Sequence, residues 1–193
     1  NDSNRAAWRS YLRTAIAPVV ERFGLTPREN EPGKVQDLRP LLLRLLAEEL
    51  EDEGLIATAT EQAQRYLRAP SESDPSQSAP SRSAPSRSAP SQAAPSLVAT
   101  YLLIAARHGD AAMVGEVKRA MVEATDPQRR TTLLRTLGMF AQPEAQSAAL
   151  DLMLDPAVTS SDLRMLLAAN GDGEERRRRL LSWLEAHYDA LAA

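Results

Sequence analysis

Apolar residues recur at intervals of three and four along this chain, and no stretch alternates at the interval of two that marks a strand. Between Arg5 and Phe23, the residues Trp8, Tyr11, Leu12, Ile16, Val19, Val20 and Phe23 fall at helical spacing, and Gly24 follows where a C-terminal cap belongs. Pro18 is expected to kink that helix. A second stripe, Leu38, Leu41, Leu42, Leu45, Leu46 and Leu50, predicts a helix over 35–50, and Gly54 is read as the break before a third, Leu55 to Leu67. Residues 1–68 thus form a three-helix segment.

Further along, polar punctuation becomes regular. Leu97 to Arg107 reads as a helix ended by Gly109, and Asp110 caps one carrying Met113, Val114, Val117, Met121 and Val122. Asp126-Pro127 opens a helix with Leu133, Leu134, Leu137 and Phe140, and Gln142-Pro143 opens another with Ala149, Leu150, Met153 and Leu154. Thr159 or Ser160 starts a helix through Leu163, Leu166 and Leu167, which Asn170-Gly171-Asp172-Gly173 stops; Glu174 to Leu191 is the last. The segment 97–193 therefore holds six helices in three pairs, starting near 97, 127 and 160. The expected fold is all-α, an α-α superhelix of antiparallel helical hairpins of the HEAT or armadillo kind, each hairpin hiding its stripe against its neighbours.

Between these blocks, residues 69–96 repeat Ala-Pro-Ser or a close variant, with Pro70, Pro75, Pro80, Pro85, Pro90 and Pro95 in one five-residue register. Proline removes a helix donor each time, and alanine and serine offer little apolar area to offset the entropy of ordering. The tract reads as a low-complexity linker, and the two helical blocks as parts of one superhelical domain. Its proline spacing of five departs from P-x-x-P ligands.

Charge and composition narrow the chemistry. The 23 basic and 26 acidic residues among 193 give a net charge of −3, which excludes a nucleic-acid footprint. No apolar run is long enough to span a membrane. Cysteine is absent and histidine occurs only at His108 and His187, so a Cys/His zinc cluster or a thiol nucleophile is excluded. The start Asn-Asp-Ser-Asn lacks methionine and a signal-peptide pattern, so the chain is expected to be a fragment. It carries no readable address; the cytoplasm is the favoured compartment.

Several local motifs occur in a familiar order. Tyr11-x-x-x-x-Ile16-x-Pro18-Val19-x-x-x-Phe23, Ala105-Ala106-Arg107-His108-Gly109-Asp110, and Leu133-Leu134-Arg135-Thr136-Leu137-Gly138 followed by Pro143-Glu144 resemble helices and turns of the C-terminal HEAT-like domain of the aminopeptidase N family of zinc metallopeptidases. Leu154-Asp155-Pro156 up to Asp162 is similar to another turn of that family, except that Thr159 stands where Arg is usual and Ser161 where Gln is usual. Leu181-x-Trp183 and Tyr188 sit where the family tends to have Trp-x-Phe and Asn-Trp, the arginines 176 to 179 lie where residues are inserted, and the proline tract replaces a short loop. The resemblance covers about 160 residues and implies a domain without catalytic machinery. The family's zinc is held by H-E-x-x-H and its substrate amine by G-x-M-E-N, both in a preceding domain. Neither motif occurs here; Arg28-Glu29-Asn30 lacks the Gly and Met.

That resemblance sets the site expectations. No residue is expected to be catalytic, to bind a cofactor or to hold a metal; zinc belongs to the parent's catalytic domain. Arg107, Arg135 and Arg164 are candidates for lining the peptide chamber, where a guanidinium fork could hold a peptide carboxylate. His108 and His187 are read as helix C-terminal caps, Asp110 and Asp126 as N-caps, and the five methionines as core filler. The run Glu48 to Glu53 reads as a solvated helix end rather than a cation site. Arg176 to Arg179 fan too widely around a helix to form one phosphate-binding stripe, so one arginine should face a neighbour.

The implied function is to wall the substrate chamber of a zinc aminopeptidase and control peptide access. Its partners would be the catalytic domain of the same polypeptide and, through it, a peptide substrate, with no nucleic acid or membrane. Apolar edges on the first and last helices would let truncated ends self-associate. The alternatives are a free-standing helical-repeat scaffold binding a protein on its concave face, or a ligand-binding helical domain without a recognised motif.

Overall fold

The computed structural model describes residues 2–28, 30–69, 95–170 and 173–192. Among these lie α1 (Asp2–Phe23), α2 (Gly33–Glu48), α3 (Glu53–Arg68), α4 (Pro95–His108), α5 (Ala111–Val122), α6 (Pro127–Leu137), α7 (Pro143–Asp151) with a 3-10 turn Leu152–Leu154, α8 (Ser160–Asn170) and α9 (Glu174–Ala192), and no strand. The protein is all-α.

Short aspartate side chains set three of the helix starts by accepting amide hydrogens that no helical carbonyl reaches. Asp52 accepts from the amide of Leu55 at 2.9 Å, Asp110 from Met113 at 3.0 Å, and Asp126 from Gln128 and Arg129 at 3.3 and 2.8 Å. Pro127 and Pro143 open their helices where the missing N–H costs nothing. α1 continues past Pro18 to Phe23, and Gly24 ends it at φ +69°, its amide bonded to the Val20 carbonyl.

The α2–α3 break differs from the sequence reading. Gly54 lies inside the first turn of α3, and the reversal is made by Glu51, at φ +50°, together with the Asp52 cap. Arg9 of α1 grips the Glu51 carboxylate with both guanidinium nitrogens, at 3.1 and 2.5 Å, which helps hold that residue in its uncommon backbone conformation.

Consecutive helices pack in a repeating way. α2 meets α3 and α4, α3 meets α4 and α5, α4 meets α6, α5 meets α6 and α7, α6 meets α8, and α9 meets α7 and α8. The chain thereby builds two rows, α2–α4–α6–α8 and α3–α5–α7–α9, a pattern of stacked hairpins compatible with an α-α superhelix.

Two apolar clusters lie between the rows. Leu12, Ile16, Leu42, Leu43, Leu46, Ala47, Leu50, Leu55, Ala59, Leu97 and Ile104 form the first; the second runs from Ala63, Leu67 and Leu102 to Leu166, Leu180 and Trp183. Each draws residues from both sides of the proline tract. α3 and α4, its flanking helices, make the most extensive helix contact among the described residues. The linker read over 69–96 falls outside the described residues at 70–94, and Pro95 already opens α4. The Gly171-Asp172 part of the α8 stop signal and Glu29 also fall outside them.

Two stripes pack into the core only in part: Leu12, Ile16, Val19 and Val20 of α1 and Leu38, Leu42, Leu45 and Leu46 of α2 do so, and Trp8, Tyr11 and Leu41 do not. On α2 the buried residues are Arg39, Leu42, Leu43, Leu46 and Ala47, whereas Leu41 is 63% exposed. The buried arc centres one residue later because Arg39 occupies it, as described below. On α1 only Leu12 and Ile16 are buried; Trp8 and Tyr11 stack on one another at 5.8 Å and stay in solvent. Met113, Met121 and Met153 are buried, and Met139 and Met165 pack partly buried on the same cluster. Among the described residues no helix is long and apolar enough to cross a membrane.

Candidate functional site

The candidate arginines fall one to a helix along a single row. Arg107 is in the last turn of α4, Arg135 in the last turn of α6 and Arg164 early in α8. α4 touches α6, and α6 touches α8, so the three residues follow one another along that row. Arg135 and Arg164 are exposed. Arg107 is half-buried, with a guanidinium nitrogen 3.9 Å from the Glu48 carboxylate of α2.

Beside this row, at the junction of α6, α7, α8 and α9, is the most polar piece of interior. Gln146, Asn170 and Arg176 are buried. The Gln146 amide donates to the Arg176 carbonyl at 3.0 Å and, less closely, to the Asn170 side chain at 3.4 Å; Asn170 donates to the Leu166 carbonyl at 3.0 Å. Arg176 donates to the carbonyls of Gly138 and Ala169, the C-terminal ends of α6 and α8. Arg179 donates to Gln146 at 2.6 Å and to the Ala141 carbonyl at 3.1 Å. Two cations of α9 thus sit on carbonyls left over at or after helix ends, where dipole and hydrogen bond act together. Trp183 adds a bond from its indole to Asp151 of α7 at 2.8 Å. Arg177 and Arg178 are exposed, so the run has two arginines turned inward, where one was expected, and no continuous basic stripe.

The N-terminal end of α6 carries a second arginine pair. Arg129 lies over the Tyr66 ring at 4.4 Å and donates to the carbonyls of Tyr66 and Ala69, fastening the end of α3. Arg130 reaches the Met121 and Ala157 carbonyls and pairs with Asp162 at 2.7 Å. Asp162 and Thr159 form a reciprocal cap, each accepting the other's backbone amide hydrogen, at 2.9 and 3.3 Å.

Burial pushes the Asp162 carboxyl up, but the Thr159 amide, Arg130 and the Thr159 hydroxyl outweigh it and hold it below the usual carboxylate range. A carboxyl with a lower pKa in the folded than in the unfolded chain stabilises the fold above the unfolded pKa and loses that contribution as pH falls through the folded one. The Asp162→Asn variant should therefore lose less stability than the parent between pH 6 and pH 3, approximate values that bracket the ordinary carboxylate range. Urea unfolding at both pH values measures this, and equal losses would remove Asp162 from the acid response.

The sequence matches the ERAP1-like C-terminal domain family over residues 1–193. The chain belongs to the ERAP1-like C-terminal domain family. It is thus a non-catalytic domain of an aminopeptidase-type protein. A comparison with curated proteins finds no match.

Among the described residues no three His, Cys, Asp or Glu side chains converge. No step is assigned to a metal here. The acidic run after α2 is instead consumed by arginines and a cap. Glu48 pairs with Arg44 and Arg107, Glu51 with Arg9, and Asp52 starts α3.

Of the two histidines read as helix caps, His108 stands in the last turn of α4 and His187 lies inside α9. Burial and the neighbouring Arg107 lower the His108 pKa from the ordinary imidazole range. His187 does bond a carbonyl, that of Trp183 at 2.9 Å, and stacks on its indole at 4.5 Å, but this lies one turn inside α9.

The periodicity reading missed Arg39, which is 2% exposed. It grips the Glu31 carboxylate with two nitrogens at 2.6 and 2.5 Å and donates to the Phe23 and Gly24 carbonyls, closing the α1–α2 turn. The hydrogen bonds from Arg39 hold Glu31 below the usual carboxylate range. An arginine directly before Pro40 at the head of the leucine stripe is the signal that marks it.

Proposed function

We propose that this domain walls the substrate chamber of a zinc aminopeptidase and meters peptide access. Family membership over the whole chain carries the reading, and the α4–α6–α8 row gives it a surface: one arginine per helix, with Arg135 and Arg164 open to solvent. A planar guanidinium binds a carboxylate through two parallel hydrogen bonds, so this row suits the C-terminal carboxylate or an acidic side chain of a peptide whose N-terminus is being processed elsewhere. Such a wall acts by positioning and exclusion and breaks no bond.

The test is kinetic, in the full-length protein carrying Arg135→Ala and Arg164→Ala together. KM for a peptide with a free C-terminal carboxylate should rise about fivefold or more, while the same peptide amidated, and a single-residue chromogenic substrate, should be unaffected. Equal effects on free and amidated peptides would remove the carboxylate role. Zinc-dependent release of N-terminal residues by chain 1–193 alone would overturn the non-catalytic assignment.

A further inference from the structure

Four arginines of α2, α3 and α9 find a glutamate one turn away: Arg44 has Glu48, Arg65 has Glu61, Arg178 has Glu174 and Arg179 has Glu175. α1 departs from this. Between Ser3 and Val20 it carries Arg5, Arg9 and Arg13 and no acid, so each of these arginines has another arginine four positions away. Like charges at that spacing disfavour a helix. All three line one open cleft of about 550 Å³ where α1 faces the α2–α3 turn, with Ala6 and Glu51 as the other lining residues. Arg9 engages Glu51 through both guanidinium nitrogens, and among the described residues neither Arg5 nor Arg13 has a carboxylate partner. The cleft therefore holds three cations against one anion.

From this arrangement we propose that the cleft is a binding site for a small oligophosphate, held by Arg5 and Arg13 with Arg9 between them. At 1.5 Å per residue the two outer arginines stand about 12 Å apart along the helix. One carboxylate fills one guanidinium fork, as Glu51 does on Arg9. A chain of phosphates repeats its charge at every link, so a single molecule reaches both outer arginines while passing the Arg9–Glu51 pair. The planar, weakly hydrated guanidinium suits phosphate oxygens in particular. Arg5 and Arg13 are exposed, so the ligand enters without any movement of the helices. Glu51 acts in this cleft as a built-in competitor, because it occupies the central fork that the ligand would otherwise share. The site is separate from Arg135 and Arg164 and needs nothing from the chamber reading above.

Calorimetric titration of the full chain with inorganic triphosphate at low salt, where exposed charges are least screened, tests it. Saturable binding of one molecule per chain is expected. Arg5→Ala with Arg13→Ala should weaken it at least about tenfold, and Arg5→Lys with Arg13→Lys should weaken it less, since charge remains and the forks do not. Glu51→Gln frees Arg9 and should tighten binding by about threefold or more. Arg177→Ala with Arg178→Ala, an exposed pair on α9, should leave it within about twofold of the parent. Unchanged helicity by circular dichroism verifies that each variant is folded. Absence of saturable binding overturns the proposal. So does binding that the α1 and α9 alanine pairs weaken alike, or that Glu51→Gln weakens in a folded protein. Citrate, a tricarboxylate, bound as tightly as triphosphate would overturn the choice of phosphate.

Discussion

Replacing Gly138 by alanine should destabilise the protein by about 3 kcal/mol, the upper end of what overpacking a tight contact costs. Gly138 ends α6 with φ −74° and ψ −6°, a conformation open to every residue, so what glycine supplies there is room. A Cβ at this position would come within 2.1 Å of the Ala169 Cβ and 3.2 Å of its Cα, and neither is the far end of a flexible side chain that could swing away. The α6 and α8 backbones would have to separate, and the carbonyls that Arg176 bridges would separate with them. For a chain of this size the loss should appear as a fall in Tm on the order of 6–12 °C. The double variant G138A/A169G should recover roughly 1–2 kcal/mol of it, because the two substitutions share one contact. A G138A protein that melts with the parent would show that the helices part freely.

The second large effect lies in the arginine run and should fall on one residue far more than on its exposed neighbour. Arg176→Ala removes the donor from the Gly138 and Ala169 carbonyls in a buried place, leaving them unpaired beside a void, and should cost about 3 kcal/mol. Arg178→Ala, two positions on, gives up only an exposed ion pair and should stay within about 0.5 kcal/mol of the parent. Arg176→Lys keeps the charge but not the fork, and should fall between the two. Urea unfolding of the three variants measures the contrast. Similar losses for Arg176→Ala and Arg178→Ala would mean that the interior bonds of Arg176 contribute nothing beyond an ordinary surface charge.

Why Arg176 rather than its neighbours was partly legible in the sequence. Leu180 lies four positions after Arg176 and Trp183 four after Arg179, so the phase of α9 alone separates Arg176 and Arg179 from Arg177 and Arg178. The helices themselves were legible for local reasons. Asp110, Asp126, Pro127 and Pro143 act within one turn of where they stand, and their chemistry does not depend on what packs nearby. The faces of α1 and α2 were less so. A row of leucines fits two adjacent helical arcs equally well, and the choice on α2 was made by Arg39, whose partners Phe23, Gly24 and Glu31 come from a turn that periodicity does not describe. Glu51 escaped for a similar reason, since its left-handed backbone accompanies the grip of Arg9, 42 residues away. The placement of Arg107, Arg135 and Arg164 on one row follows from the repeat of about 30 residues.

The close union of α3 with α4, and the grip of Arg129 on the last carbonyls before the proline tract, fix where that tract leaves the folded body and where it returns. Chain added or removed between Ala69 and Pro95 would therefore leave the two packed helices where they are.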